Sequence, residues 1–431
     1  MYANCGTQGL GKREGLDFLM LMPSCAQEPT QGSFLGAGYV VSALGQTGFP
    51  SAQSFVRQYI SRDCKAVDVD ALISLLERTN PRVVGISCLS IDLELVKEVA
   101  RIVKQFSEAI ITLVGGIGAT ISYRRILGCN AIDLVLRGEG ERSTVDLMGM
   151  LDGCEYSFPK AQRRLEGVDG LCFKRGGVLV NGGISRRVKD LDSLPWPTRQ
   201  FIDDPGLKWS GILVAGSRGC QGECPFCDGA RLYGGSRHVF SRSVTGIAEE
   251  IAAMAIAHPT LEYIFFSDPT FEIERLGPII NAVDGMIHKR LLFQVCTRPE
   301  TVNSQRDALQ GLRGRIRALL VGTESWDSLF LKQIGKAPPE ENIKCVQSLE
   351  QLSINYFLFT MHPPDPGPEQ IPNLLPTRFA HCVPHISLVI LRMLEISNCM
   401  NLTHPLRRAK PNQLMRHFLW FMNDFEDNIR R

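Results

Sequence analysis

Twice along this chain, short apolar runs alternate with helical segments, and that rhythm restricts the fold to parallel sheets covered by helices. In the first stretch, Leu16 to Met22 is an apolar run stopped by Pro23, the pattern of a strand buried on both faces. Further strands are expected at Arg82–Ser87, Ile110–Val114 and Ile132–Leu136, with helices at Phe34–Gly48, Val69–Thr79, Leu93–Phe106 and Glu141–Leu151. A hairpin is expected over Gly167–Val180, turning at Gly176-Gly177, and the run Asp190–Pro197 reads as a proline-stiffened linker. Alternation then resumes, with strands expected at Gly211–Ala215, Tyr263–Ser267, Leu291–Cys296, Ala318–Gly322, Ile354–Thr360 and His385–Leu391. Helices at Val244–Ala257, Ile273–His288, Ser304–Leu312 and Glu340–Leu352 separate them.

Parallel sheets of this kind place their chemistry at the carboxyl ends of the strands, and the unusual residues of this chain stand there. Three cysteines, Cys220, Cys224 and Cys227, follow the first strand of the second stretch within eight residues. Three thiolates on one loop can hold three corners of a 4Fe–4S cube and leave the fourth iron open. A closed zinc site is the competing reading, but it wants a fourth ligand. The nearest following histidine, His238, has no second Cys/His pair beside it. In the first stretch the strand ends carry Gly85–Asp92, Gly115–Thr120 and Arg137–Glu141, three loops rich in glycine and hydroxyl groups. Such loops suit close backbone approach to a nucleotide or to a tetrapyrrole. No Gly-x-Gly-x-x-Gly run follows the first strand, which counts against a dinucleotide.

With 431 residues, 44 % hydrophobic and 21 % charged, the composition is that of a globular protein with more than one core. A net charge of +2 gives no electrostatic reason to expect nucleic acid as a partner. No apolar run reaches the roughly 18 residues of a membrane span. A cytoplasmic location is expected, and there 14 cysteines read as thiols or cluster ligands. At the end of the chain, Leu414, Phe418, Phe421, Met422 and Phe425 recur at helical spacing and read as packing residues.

The cysteine spacing, with Phe226 before the last cysteine and Ser217-Arg218-Gly219 ahead of the first, resembles the radical S-adenosylmethionine enzymes. The first half, from Pro23 through Gly36-Ala-Gly-Tyr39, Val84–Ser87, Gly115-Gly116 and Gly138–Glu141, looks like the cobalamin-binding domain that precedes many of their cores. The resemblance implies an α/β fold: a Rossmann-like doubly wound parallel sheet over 1–151, a linker with a small hairpin over 152–209, a partial (β/α)6 TIM-type barrel over 210–400, and a short helical segment over 401–431. It implies a 4Fe–4S cluster on Cys220, Cys224 and Cys227, and S-adenosylmethionine held by Phe226, Ser267, Asp268, Thr297, Arg298 and Glu324. Within that set, Asp268 suits the ammonium group, Arg298 the methionine carboxylate and Glu324 the ribose hydroxyls. Ser236-Arg237 and Arg242-Ser243 match family positions too, although arginines near a helix start are usually solvated.

For cobalamin the resemblance implies Ser24, Ser87, Leu89, Ser90, Gly115, Gly116, Gly118, Glu139, Gly140 and Glu141. The first histidine of the chain is His238, so no imidazole from this domain can hold the lower face of cobalt. The run Phe359–Gly367 is proline-heavy where the family has a Gly-x-Pro-Gly turn, which puts adenine contacts there in doubt. The implied activity is methylation of an unactivated carbon of a small molecule, started by a 5′-deoxyadenosyl radical and completed from methylcobalamin. The alternatives are a non-methylating rearrangement, cyclisation or oxidation, or a regulator without catalysis. The implied partners are the small-molecule substrate and a flavodoxin- or ferredoxin-like electron donor.

Overall fold

The computed structural model describes residues 15–23, 35–56, 58–60, 65–202, 210–222, 224–233, 237–360 and 386–388. The chain divides into two compact units, the first containing 36–186 and 197–205, the second 187–196 and 206–431.

The first unit is built on a seven-stranded sheet of order β2-β1-β5-β6-β7-β8-β9. Its parallel part comprises β1 (Phe18–Pro23), β2 (Ser51–Val56), β5 (Val83–Ser87), β6 (Ile111–Gly115) and β7 (Leu134–Leu136). All six residues of β1 are buried, as a strand covered on both faces requires. A small antiparallel pair, β3 (Gln58–Ile60) and β4 (Lys65–Val67), stands apart from the sheet.

Helices α1 (Leu35–Gln46), α2 (Val69–Thr79), α3 (Leu93–Phe106), α4 (Ile117–Ile126) and α5 (Glu141–Asp152) connect these strands. Helix α2 starts where the Asp68 carboxylate accepts the Ala71 N–H at 3.0 Å, and ends on Asn80 in the left-handed region. Helix α3 buries Val96, Val99, Ala100 and Val103 on one stripe, against a core that includes Leu19, Leu21, Val84 and Ile86. After the short α6 (Phe158–Ala161), β8 (Leu171–Arg175) and β9 (Val178–Asn181) add an antiparallel hairpin to the sheet edge. Gly176 and Gly177 both take positive φ at its turn, the requirement of the hairpin turn that matches strand twist. Along the parallel part the order runs outward in both directions from the junction of β1 and β5. That junction is the topological switch point, where open α/β sheets form their ligand crevice.

The second unit is a six-stranded, all-parallel sheet whose order follows the chain. Its strands are β10 (Gly211–Val214), β13 (Tyr263–Phe266), β14 (Leu292–Thr297), β15 (Ile316–Glu324), β16 (Tyr356–Thr360) and β17 (Ile386–Leu388). A two-stranded ribbon, β11 (Ser217–Arg218) with β12 (Phe240–Ser241), closes the base of the cysteine loop, and α7 (Asp228–Leu232) follows the last cysteine. The remaining helices are α8 (Val244–Ala257), α9 (Leu276–Met286), α10 (Pro299–Ser304), α11 (Arg306–Gly311), α12 (Ser328–Gln333) and α13 (Pro339–Leu352). Strand-helix repetition with parallel neighbours in chain order gives the radical-enzyme type of partial barrel, consistent with the expected α/β class. The C-terminal stripe Leu414–Phe425, Ser236 and most of the proline-heavy run 359–367 lie outside the described residues.

Candidate functional site

Each unit presents its unusual residues at the carboxyl ends of its strands. In the second unit the loop after β10 carries Cys220, Cys224 and Cys227, all half-buried. Gly222 stands between the first two: a Cβ there would lie 3.5 Å from Cys220 Sγ and 3.6 Å from Cys224 Sγ. The Gly222 N–H donates to Cys220 Sγ at 3.3 Å, and the Cys227 N–H to the Cys224 carbonyl at 3.0 Å. Cys220 Sγ also lies 3.6 Å from Thr270 Oγ1. Burial pushes the Cys224 thiol up; the positive charges of Lys336 and Arg298 oppose this, while Cys227 and Glu324 add to it. A set of three soft sulfur donors on one loop, with cations close by, fits the three-cornered attachment of a 4Fe–4S cluster.

The loop is tethered from several sides. Asp268 follows β13 and is only 1 % exposed. Its carboxylate accepts the Gly216 N–H at 2.8 Å and the Ser217 hydroxyl. Burial raises the Asp268 pKa to about 6, against the lowering effect of those two hydrogen bonds. These contacts make Asp268 a tether of the cysteine loop, and each of its oxygens keeps acceptor capacity for a further donor. Arg242, a family position at which a solvated arginine is the ordinary expectation, is not solvated. The structure buries it: its guanidinium pairs with the fully buried Glu250, donates to Gly246 O at 3.0 Å, and reaches Asp192 at 3.4 Å.

Arg187, which the sequence did not single out, donates to Arg218 O at 2.7 Å and to His238 O at 2.5 Å. Its guanidinium lies between the rings of Tyr233, at 4.1 Å, and Phe240, at 4.5 Å. It thereby joins both arms of the loop at its base. Gly219 sits in this junction at φ +108°, where a Cβ would fall 2.3 Å from His238 O.

The other expected S-adenosylmethionine residues divide by environment. Arg298 pairs with Glu300 at 3.0 Å, and its Nη1 lies 2.8 Å from where a Gly222 Cβ would stand, so the guanidinium rests on the cysteine loop. Phe226 packs with Phe330 against Leu331 and Ile334 of the segment after β15. Ser267 is exposed, whereas Thr297 is buried with its hydroxyl 3.4 Å from Phe271 O. Glu324 closes β15 buried, at φ +60°, with one carboxylate oxygen 3.0 Å from Lys336 Nζ. Its other oxygen, Oε2, has no hydrogen-bond partner among the described residues. Arg298, Glu324 and Lys336 all act on Cys224, so the ends of β14 and β15 converge on the cysteine loop.

In the first unit the three strand-end loops are laced into one rim. The Cys88 N–H donates to Gly115 O and the Gly118 N–H to Cys88 O, both at 2.8 Å. Thr120 Oγ1 accepts the Gly138 N–H at 2.8 Å, and the Ser185 hydroxyl donates to Glu139 O at 2.7 Å. A Cβ on Gly118 would lie 2.6 Å from Leu89 C, and one on Gly116 would lie 2.9 Å from Cys88 O. Those two glycines are therefore required by loop packing alone. Gly115 differs, because a Cβ there would meet nothing within 4 Å. Ser87 and Leu89 are half-buried beside it, whereas Ser90 and Glu141 are buried. Glu139 and Gly140 lie half-buried on the third loop. Ser24 lies outside the described residues. Open space over bare backbone at Gly115, one strand from the switch point, fits the flat edge of a large ring cofactor such as cobalamin.

Comparison with known proteins gives a domain family for each of the two strand–helix stretches. The family model for the B12 binding domain matches residues 29–148, and that for the Radical SAM superfamily matches 214–375. An uncharacterized methyltransferase of Pyrococcus horikoshii is 24 % identical over 331 residues, covering 72 % of this chain and 69 % of that protein. An anaerobic magnesium-protoporphyrin IX monomethyl ester cyclase of Cereibacter sphaeroides is 23 % identical over 73 % of this chain, which spans about half (51 %) of that longer protein.

Among solved structures, the radical S-adenosylmethionine methyltransferase TsrM of Kitasatospora setae, with cobalamin and a [4Fe-4S] cluster bound, superimposes with a TM-score of 0.64 at 15 % identity, over 94 % of this chain and 82 % of that one. The cobalamin-dependent radical enzyme OxsB, with aqua-cobalamin bound, gives 0.64 at 16 % identity, over 92 % of this chain and 56 % of that one. At such identities the superpositions show a shared fold. Among the described residues no helix is long and apolar enough to cross a membrane. With a B12-binding domain followed by a radical S-adenosylmethionine domain, the chain belongs to the cobalamin-dependent radical S-adenosylmethionine enzymes, whose cofactors are a 4Fe–4S cluster, S-adenosylmethionine and cobalamin.

Proposed function

We propose that this enzyme is a C-methyltransferase acting on an unactivated carbon of a small molecule. The observation that carries the reading is the joining of the two domains in a chain similar, over most of its length, to a methyltransferase. When bound, the cluster with S-adenosylmethionine supplies radical initiation and cobalamin supplies the methyl group. Cys220, Cys224 and Cys227 hold the cluster, and Asp268 and Arg187 fix the loop that carries them. Arg298 offers its guanidinium to the methionine carboxylate, a planar fork matched to a planar anion. Glu324 offers its unpartnered oxygen to the ribose hydroxyls, with Phe226, Ser267 and Thr297 beside them. Ser87, Leu89, Ser90, Gly115, Gly116, Gly118, Glu139, Gly140 and Glu141, with Ser24, form the cobalamin rim. A flavodoxin- or ferredoxin-like protein provides the electron.

A second reading is favoured by the cyclase relatives, three of which match this chain at 23–25 % identity: the same cofactors would then close a ring or rearrange the substrate without methyl transfer. Mass spectrometry of the product separates the two. Methylation adds one methyl group and releases S-adenosylhomocysteine alongside 5′-deoxyadenosine. A product without the added methyl would overturn the methyltransferase reading. The variant with Cys220, Cys224 and Cys227 all changed to Ala should form neither nucleoside product, having lost its iron.

A further inference from the structure

Glu324 is held in a backbone conformation that side chains other than glycine adopt only when their surroundings impose it, at φ +60°. Three features impose it. The register of β15 on β16 shifts between Gly322 and Glu324, so the strand bulges immediately before the carboxylate. The Ser325 N–H closes back onto Thr323 O at 2.7 Å, wrapping a tight turn around Glu324. Asn342, only 2 % exposed on α13, donates its amide group to both flanking carbonyls, Thr323 O at 3.1 Å and Ser325 O at 2.8 Å.

The side chain is fixed as firmly as the backbone. Lys336 Nζ pairs with Glu324 Oε1 at 3.0 Å and donates to Gly322 O at 3.2 Å. Gly322 makes room for this: a Cβ there would lie 2.8 Å from Glu324 Oε1 and 3.1 Å from Lys336 Nζ. Oε2 is left buried with no hydrogen-bond partner among the described residues. A buried acceptor without a donor is costly unless a ligand supplies the donor. Strain, a clamp on both flanking carbonyls and one engaged oxygen together leave one oxygen aimed and available.

We infer that Asn342 and Lys336 are positioning residues that preorganise Glu324, so that Oε2 accepts hydrogen bonds from the hydroxyl donors of a bound nucleoside. The inference rests on the reading that Glu324 contacts S-adenosylmethionine. Asn342 sets the turn that directs the carboxylate, and Lys336 engages the oxygen that would otherwise let the group rotate. Neither touches the ligand in this assignment.

A double-mutant cycle tests it, read as S-adenosylmethionine affinity by equilibrium dialysis on cluster-reconstituted protein, with iron content measured alongside. Glu324→Gln should weaken binding about tenfold, the equivalent of one charge-assisted hydrogen bond. Asn342→Ala and Lys336→Met should each weaken it by a similar factor with iron content unchanged. Placed in the Glu324→Gln background, each should add less than about threefold, because coupled residues are not additive. Equal losses in both backgrounds would mean that the two residues act elsewhere, and would overturn the inference. If Glu324→Gln weakens binding while both single variants bind normally, the clamp is refuted and Glu324 keeps its role. If Glu324→Gln itself binds normally, the role of Glu324 falls and the clamp with it. Should Asn342→Ala not fold, Lys336→Met carries the same cycle, because methionine keeps the aliphatic stem.

Discussion

Removing Arg187 should loosen the cysteine loop, and the size of the effect follows from four contacts. The guanidinium donates to Arg218 O and His238 O, at 2.7 and 2.5 Å, and lies between Tyr233 and Phe240. Arg187 is only half-buried, so each donation is discounted for solvent to about 1 kcal/mol. Each ring contact contributes about 0.5 kcal/mol at such a site. Arg187→Ala should therefore cost about 3 kcal/mol. In a domain of this size that lowers the melting temperature by about 6–12 °C. Arg187→Lys keeps the charge but not the fork, and should lose at least half as much. Calorimetry gives the first number, and hydrogen exchange over 217–241 localises the change. Iron loss to a chelator should speed up in proportion, because both arms of the loop separate at its base. A shift in melting temperature below about 2 °C, with exchange at Arg218 and Phe240 unaltered, would refute the clamp.

Four further outcomes are expected. Cobalamin bound to the first unit should show no strong nitrogen coupling from histidine in its cob(II)alamin spectrum, because no histidine precedes His238; a clear imidazole coupling would bring in a histidine from the second unit. Burial raises the Asp268 pKa to about 6, so its contribution to stability is complete below its unfolded value of about 4 and is lost as pH rises through 6; the difference in melting temperature between wild type and Asp268→Asn should fall over that window, and a flat difference would rule the titration out. Gly118→Ala should destabilise the first unit by roughly 1–3 kcal/mol, since its Cβ would meet Leu89 backbone. Gly115→Ala should instead leave the melting temperature unchanged and weaken cobalamin binding, which spectrophotometric titration measures.

What the sequence made legible was whatever a local pattern encodes. Strand β1 is a continuous apolar run and β5, β6 and β14 are mostly apolar ones, and the Gly176-Gly177 hairpin turn is set by two residues that accept positive φ. Strand β2 was missed because Ser51-Ala-Gln-Ser-Phe-Val carries no apolar run. It holds its edge position through distant partners: Gln53 Nε2 donates to Thr198 O at 3.0 Å and Gln200 O at 3.1 Å, and the Ile202 N–H donates to Gln53 O at 3.0 Å. Phe55 stacks on Phe201 along the same seam. The chain from 198 to 202 thus covers an edge that would otherwise stay open, and nothing near residue 53 announces it. Helix α4 was hidden by Gly116 at its N-cap and Gly118 in its first turn, which suggest a loop. Strand β15 was expected to stop at Gly322, yet it runs to Glu324.

The same limit explains the site. Cys220, Cys224 and Cys227 are visible because a cluster loop needs its ligands close in sequence. Arg187, Lys336 and Asn342 are not, because each acts on a backbone segment that tertiary structure brings to it. Two of their targets have positive φ: Gly219 at +108°, where a Cβ would fall 2.3 Å from His238 O, and Glu324 at +60°, which residues other than glycine rarely adopt. Both are held by side chains donating to the adjoining carbonyls, Arg187 at Arg218 and His238, Asn342 at Thr323 and Ser325. At Glu324 the strand end that carries chemistry is strained, and a distant polar side chain, Asn342, holds it in place. Substitutions at those distant side chains should therefore act on ligand geometry before they act on the sheet, which is formed by strands that local apolar pattern already specifies.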